Sequence, residues 1–164
     1  MSKKQKTITT LKMSGLTTSN INQILNRFAL YKGTYPCDSI PISSKSVDQA
    51  FVINTGNSQS SGQHWVGLII KRNKCWYFDS FGNFIDNLDI LQSLKRIGVK
   101  RYFSNSKQIQ SVRSNNCGYF CIAFVLSFVF EEKYEDFLAK FSENFTENEE
   151  LCHNLIKQYL TLSS

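Results

Sequence analysis

The sequence predicts an α+β fold in which a small, mainly antiparallel sheet packs on one central buried helix, with further helices on the flanks. Apolar runs rich in β-branched and aromatic residues at 51–55, 65–70 and 75–78 are typical of strands, and the polar residues 71–74 between the last two indicate a hairpin. Residues 117–130 are apolar on every side of a helix, which is typical of a helix enclosed by other elements. The length of 164 residues suits one domain over 1–164, and we expect its basic N-terminus over 1–15 to be flexible.

The first third of the chain carries one further helix. Asn20 is its predicted cap, with Gln23 as the reciprocal partner, because apolar residues follow at helical spacing before Gly33 ends the segment. The polar residues 34–49, which include both prolines, are expected to be irregular, and residues 56–63 to form a flexible loop.

Cap residues and apolar spacing predict the elements after the hairpin. Asp86 is the expected cap of a second helix, which Gly98 ends and whose apolar face would hold Leu88, Leu91 and Leu94. Short strands or strand ends are expected at 101–103 and 108–110, and an acidic amphipathic segment at 131–141. A capping box of Thr146 and Glu149 would begin the last helix.

The charge of the chain is unevenly distributed. Lys and Arg number 19 against 13 Asp and Glu, a net charge of +6, and residues 1–113 carry +11 while residues 114–164 carry −5. A basic body is typical of a protein that meets a polyanion such as DNA, although an ordinary solvated surface explains it equally well. The 41% of hydrophobic residues exclude a disordered chain.

Secretion and metal binding are not expected. No apolar segment follows the basic N-terminus, and no apolar run approaches the roughly 20 residues that a membrane helix needs. Five cysteines without a secretory signal indicate free thiols in a reducing compartment. Cys117 and Cys121 form the one close pair, and no second pair has zinc-finger spacing, so we expect no metal site.

A histidine and a carboxylate are expected to meet at the open end of the hairpin. His64 enters its first strand and Asp79 leaves its second, so that antiparallel pairing would bring the two side chains together. A carboxylate beside an imidazole sets its tautomer and orientation, as a general base requires.

A cysteine and a glutamine complete the constellation. Cys117 opens the central buried helix, where the positive end of the helix dipole favours a thiolate, and Gly118 leaves room for a close neighbour. Gln110 lies seven residues upstream, and its side-chain amide is a suitable oxyanion donor beside the Cys117 backbone N–H. Cysteine, histidine, aspartate and glutamine together are the residues of a cysteine protease.

Each of these residues also has an ordinary structural explanation. A histidine before a strand is commonly a surface residue, an aspartate at a strand end a turn former, and a cysteine at the start of an apolar helix a core residue. We assign the core role to Cys75 and Cys121. Cys152 and His153 are adjacent on a predicted helix, so that their side chains point apart and cannot form a nucleophile–base pair.

Four short segments are notable for their order and spacing: VINT at 52–55, GQHW at 62–65, YFDSFG at 77–82, and QS at 110–111 followed by NCGYFC at 116–121. Together they cover roughly residues 50–130 and resemble the adenain-like maturation cysteine proteases of adenoviruses, virophages and Polinton-type elements. More distantly, they resemble the ubiquitin-like-protein (SUMO) proteases of the same clan.

The resemblance implies a papain-related core and a role for each residue. Cys117 would be the nucleophile, His64 its base and later the acid, Asp79 the group that orients His64, and Gln110 the oxyanion donor. Trp65 would wall the substrate cleft. Members of the family cut viral capsid and core precursors at Gly-Gly or Gly-x sites during virion maturation. We therefore expect a monomeric enzyme of the virion and of the host cytoplasm or nucleus.

The resemblance also bears on cofactors. Adenovirus enzymes are stimulated by a peptide cofactor and by DNA, but no counterpart of the cofactor-binding cysteine is identifiable here, and no cofactor is expected to be required. DNA needs only lysines and arginines, because phosphates attract them without a motif. The candidate contacts are Lys71, Arg72, Lys74, Lys95, Arg96, Lys100 and Arg101.

Two other functions stay open from the sequence. One is a deconjugating protease for a ubiquitin-like protein, which the small size of the chain disfavours. The other is a basic, DNA-associated virion protein whose cysteine and histidine are inactive, for which no base-recognition motif is present.

Overall fold

The computed structural model describes residues 15–41, 47–60 and 64–164, which form a mixed sheet with helices on both of its faces. The segment 1–14, most of the N-terminus for which we expect flexibility, lies outside the described residues. In chain order the elements are α1 (Thr18–Leu25), β1 (Tyr31–Pro36), β2 (Gln49–Asn54), β3 (Trp65–Lys71), β4 (Lys74–Phe78), α2 (Leu88–Ile97), β5 (Arg101–Ser104), α3 (Cys117–Val129), α4 (Tyr134–Ala139) and α5 (Phe145–Leu162).

The strands lie side by side in chain order, from β1 to β5. β2, β3 and β4 pair antiparallel, whereas the edge strands β1 and β5 pair in parallel with β2 and β4. The α+β class predicted from the sequence is confirmed, and the sheet is antiparallel at its centre and parallel at its edges.

The central helix α3 packs against one face of the sheet. Every residue from Gly118 to Phe128 is buried, as the all-round apolar pattern predicts. Gly67 on β3 permits the close approach, because a Cβ there would lie 2.4 Å from a ring carbon of Phe124. α2 covers the opposite face, so that alternate residues of β2 enter two different cores: Val52 packs with α3 and Phe51 with α2.

Several element boundaries differ from the sequence prediction. Thr17, not Asn20, caps α1: its side chain accepts from the backbone N–H of Asn20, whose own side chain closes the capping box. Asn144, not Thr146, caps α5 by accepting from the backbone N–H of Glu147. Both helices therefore begin earlier than predicted, because cap geometry selects the nearest residue whose side-chain oxygen can reach a free N–H.

The apolar face predicted for α2 is wrong at Leu88 and right at Leu94. Asn87 caps the helix in place of Asp86, Leu88 is 74% exposed, and the buried residues are Ile90, Ser93, Leu94 and Ile97. Gly98 ends the helix in the left-handed conformation, as predicted.

Two predictions in the loops are also wrong. Residues 31–36 form a strand although they contain Gly33 and Pro36, because an edge strand pairs on one side alone and tolerates both residue types. Residues 108–110 form no strand and run as a loop that bonds to Ser80. The hairpin loop is shorter than expected, since Lys71 and Lys74 pair across Arg72 and Asn73.

Candidate active site

An open cleft of about 700 Å³ lies where β3 begins and α3 begins. His64, Trp65, Phe81 and Cys117 line it together, which brings three of the predicted site residues to one place. Most of the rest of the wall is polar or small. It comes from three segments: Gly15, Leu16, Thr17 and Thr18 around the start of α1, Asn54, Gly56, Asn57, Ser58 and Ser60 at and after the end of β2, and Val112, Ser114 and Asn115 before α3.

The antiparallel pairing of β3 with β4 places His64 beside Asp79. The Nε2 atom of His64 lies 2.7 Å from Oδ1 of Asp79, a hydrogen bond between side chains that are 14% and 4% exposed. With Nε2 engaged by Asp79, Nδ1 is the ring nitrogen left to face the cleft. A general base needs this kind of arrangement, with one ring nitrogen held by a carboxylate and the other open to the nucleophile.

Three residues that the sequence reasoning did not single out hold Asp79 in place. Asn105, which is buried after β5, accepts from the backbone N–H of Asp79 at 3.0 Å and donates to its carbonyl oxygen at 2.6 Å. The backbone N–H of Phe81 donates to Oδ1 of Asp79 at 2.8 Å, and Gly82 closes the turn by donating to its carbonyl at 2.8 Å. The glycine of the SFG after Asp79 is a local signal typical of such a turn, whereas nothing local points to Asn105, because its contact spans 26 residues.

Cys117 is half-buried at the first position of α3. Its thiol faces the imidazole of His64, which also bonds Asp79. Gly118 allows this start of the helix to pack closely, because a Cβ there would lie 3.0 Å from Cβ of Leu16 and 3.3 Å from a ring carbon of Trp65. The indole N–H of Trp65 donates to the carbonyl oxygen of Leu16 at 3.0 Å. Trp65 therefore lines the cleft while its N–H anchors the segment that precedes α1.

The contacts of His64 shift its proton affinity. Burial lowers the pKa of His64, but the hydrogen bonds with Asp79 and Cys117 and the charges of both groups outweigh burial, and together they raise the pKa from 6.5 to about 9. His64 is therefore able to hold a proton between two acidic partners, as an acid–base group of a thiol enzyme must.

Gln110 is fully buried and is not among the residues that line the cleft. Its Oε1 accepts from the hydroxyl of Ser80, and its Nε2 donates to the carbonyl oxygen of Ser114 at 3.0 Å. The amide is therefore fixed between the Asp79 turn and the loop before Cys117. Nε2 also lies 3.4 Å from the hydroxyl oxygen of Ser114, so an oxyanion role would exchange this longer contact for the oxyanion.

The other cysteines lie in the core, at Cys37, Cys75, Cys121 and Cys152. Burial raises the pKa of Cys75, Cys121 and Cys152, which keeps these thiols protonated. The core assignment of Cys75 and Cys121 is consistent with this burial.

The basic residues proposed for DNA gather at the other end of the hairpin. Lys71, Arg72 and Lys74 surround its turn, and β5 brings Lys100 and Arg101 beside them, since both backbone N–H groups donate to Asn73. Lys95 and Arg96 occupy the last turn of α2, three residues before β5. With about 3.3 Å per residue, the seven residues of β3 separate this basic end from His64 by roughly 20 Å.

The described part of the chain contains no cluster of three or more metal-ligating side chains. Among those same residues, no helix is long and apolar enough to cross a membrane.

Comparisons with known proteins identify the family of the chain. The model of the adenovirus endoprotease family matches residues 31–146. Similar curated proteins are the proteases of bovine adenovirus 4, 29% identical over 130 residues, and of snake adenovirus serotype 1, 23% identical over 133 residues. Each alignment covers 69% of this chain, and the chain spans 65% of the length of these relatives.

Solved structures show the same fold. The ASFV pS273R protease superposes with a TM-score of 0.60 at 16% identity, over 84% of this chain and 66% of that one. The family match contains all of β1 to β5, the hairpin that pairs His64 with Asp79, and Cys117 at the start of α3. It therefore covers most of the fold. The chain belongs to the adenovirus endoprotease family.

Proposed function

We propose that this protein is a cysteine endopeptidase in which Cys117 is the nucleophile, His64 the acid–base group and Asp79 the residue that orients His64. The observation that carries the proposal is the single imidazole that meets Asp79 at 2.7 Å and the Cys117 thiol in one open cleft. Membership in the adenovirus endoprotease family supports the same chemistry.

The reaction follows from these positions. His64 takes the proton of the Cys117 thiol, and the sulfur attacks the carbonyl carbon of the scissile peptide bond. The imidazolium then gives this proton to the nitrogen of the leaving amine as the carbon–nitrogen bond breaks. Water attacks the remaining thioester, His64 accepts its proton, and the new carboxylate leaves as the thiol re-forms.

The developing oxyanion needs donors at the start of α3. The backbone N–H of Cys117 is one candidate, since the first N–H groups of a helix have no partner within the helix. The second hydrogen of the Gln110 amide is the other. Ser80 and the Ser114 carbonyl would hold that amide in place, and its longer contact with the Ser114 hydroxyl at 3.4 Å would give way to the oxyanion.

The proposed substrates are viral capsid and core precursor proteins, cut at Gly-Gly or Gly-x sites during maturation in the virion or at the site of assembly. The polar and small residues of the cleft wall suit the backbone of an extended chain better than bulky side chains. This feature supports a preference for glycine on either side of the scissile bond.

A cleavage assay tests the proposal. We expect the wild-type protein to cut a Gly-Gly-containing capsid precursor peptide, and Cys117→Ser to abolish the cut, because a hydroxyl is a much weaker nucleophile beside the same base. Cys152→Ser is the matched control, since that thiol is buried in the core. Unchanged turnover by Cys117→Ser would refute the assignment.

We further propose that DNA binds the basic end of the hairpin as an accessory ligand that is not required for catalysis. Five basic residues from separate parts of the sequence converge there. Since this end lies roughly 20 Å from His64, DNA bound there would leave the cleft open to a substrate on the same particle.

A further inference from the structure

Phe81 contacts both members of the histidine–aspartate pair. Its ring stacks on the imidazole of His64 with the ring centres 4.4 Å apart and the planes 13° from parallel. Its backbone N–H donates to Oδ1 of Asp79 at 2.8 Å, the same oxygen that His64 meets. Phe81 therefore limits the movement of the His64 imidazole by stacking on its face. It limits the movement of the Asp79 carboxylate through its backbone hydrogen bond.

The backbone around Phe81 is fixed. Asp79 and Gly82 close a tight turn through a 2.8 Å hydrogen bond, and Gly82 has a φ of +75°, a conformation that favours glycine. A Cβ at Gly82 would lie 2.8 to 2.9 Å from the backbone of residues 106–108, so the turn packs tightly on the loop that follows β5. The backbone position from which the Phe81 ring extends is thus set by the fold.

We propose that Phe81 is a positioning residue of the active site, which holds the His64 imidazole in the plane where Nε2 stays on Asp79 and Nδ1 faces Cys117. Without the ring, the imidazole would be free to rotate about its bond to Cβ, and water would reach its face. This inference rests on the proposed protease function. It assigns to Phe81 an effect on catalysis through His64, distinct from a contact with substrate.

Variants of Phe81 test the proposal against a matched control. We expect Phe81→Leu to lower kcat about 3- to 10-fold with KM nearly unchanged, the size that the loss of one aromatic pair predicts. Phe81→Tyr keeps the stacked ring and should restore kcat. Phe84→Leu is the control, because Phe84 is 71% exposed and lies outside the cleft lining. Thermal unfolding of each variant separates a loss of position from a loss of folding.

A second readout needs no substrate. In a His153→Gln background, His64 is the one remaining histidine, and proton NMR follows its titration. We expect the midpoint to move from about 9 toward the ordinary 6.5 in Phe81→Leu, because a mobile imidazole bonds Asp79 less well, and to stay in place in Phe81→Tyr and Phe84→Leu.

The outcomes distinguish the two proposals. A rise in KM with an unchanged His64 titration would make Phe81 a wall for the substrate and overturn the positioning role. An equal loss of kcat in Phe84→Leu would also overturn the positioning role of Phe81. A wild-type protein that cuts no peptide would refute the proposed protease function, while the titration would still decide whether Phe81 holds the imidazole.

Discussion

The proton on His64 links the chemistry of the site to the stability of the fold. The imidazole of His64 bonds Asp79 through Nε2 and also interacts with Cys117. Burial disfavours the positive charge on the imidazole, whereas these two partners favour it. Because the partners prevail, the folded protein binds this proton more tightly than the unfolded chain does. This tighter binding adds to the free energy of unfolding at every pH at which His64 carries the proton.

The sign of the resulting pH dependence follows from the two pKa values. The folded pKa of about 9 is above the unfolded value of 6.5, so the contribution is complete below about pH 6.5 and is lost as the pH rises to about 9. A shift of this size corresponds to an effect on the order of 3 kcal/mol. We expect wild type to exceed His64→Gln in free energy of unfolding at pH 6, and the difference to shrink by pH 9.5. Urea unfolding at both pH values measures it, and a difference independent of pH would contradict this expectation.

Gln110 carries a second prediction for a single residue. Replacing it with alanine removes the amide that Ser80 and Ser114 fix, and we expect kcat to fall by about 10²–10³ with little change in KM, the usual cost of one oxyanion donor. The exposed Gln158→Ala on α5 is the control. A loss confined to KM, or one explained by lower thermal stability, would remove Gln110 from the oxyanion site.

At the scale of elements, α3 and the hairpin set the geometry of the site. Both were predictable, α3 from its continuous apolar run and the hairpin from two strand patterns around a polar turn. The hairpin by itself implies the pairing of His64 with Asp79. The contacts of Asn105 with Asp79 and of Ser80 with Gln110 were not predictable. They join segments 26 and 30 residues apart, and local spacing contains no information about them.

The edge strand β1 was likewise not predictable from the local sequence. Its residues carry no alternating apolar pattern, and its structure comes from parallel pairing with β2. Tertiary pairing therefore overrides the local preference of Gly33 and Pro36.

The packing of β3 on α3 provides a prediction for these elements. Gly67→Ala would place a Cβ 2.4 Å from the ring of Phe124, so we expect the free energy of unfolding to fall by about 1–3 kcal/mol. Adding Phe124→Leu should recover part of the loss introduced by Gly67→Ala. Chemical denaturation of the two single variants and the double variant tests this, and strictly additive losses would show that the two residues do not clash.

At the scale of the whole molecule, the basic residues around the hairpin turn and the residues of the cleft lie at opposite ends of the sheet. The net charge of +11 over residues 1–113 includes the five residues around the hairpin turn, whereas the cleft lies at the other end of the same strands. Lys71 contributes least to a free basic surface, since it pairs with Asp48 at 3.7 Å.

DNA affinity tests this arrangement. We expect duplex DNA to bind weakly, with affinity that falls steeply as salt rises. The combined variant Arg72→Glu, Lys100→Glu and Arg101→Glu should lower both the affinity and the slope of the salt dependence, by about 0.9 for each phosphate that the protein no longer neutralises. A control with the same change in net charge replaces three exposed or half-exposed residues elsewhere, Arg27, Lys133 and Lys157, with glutamate. Equal decreases in the two variants would show that net charge alone determines binding.

The central claim is that Cys117 is made nucleophilic by His64. Limited alkylation with iodoacetamide, followed by peptide mapping, tests it most directly, because it reports on the thiol itself and requires no knowledge of the substrate. We predict that Cys117 is modified before the four buried cysteines and that His64→Ala slows its modification strongly, while the matched His153→Ala does not. First modification at another cysteine, or a rate for Cys117 that is unchanged in His64→Ala, would contradict the account.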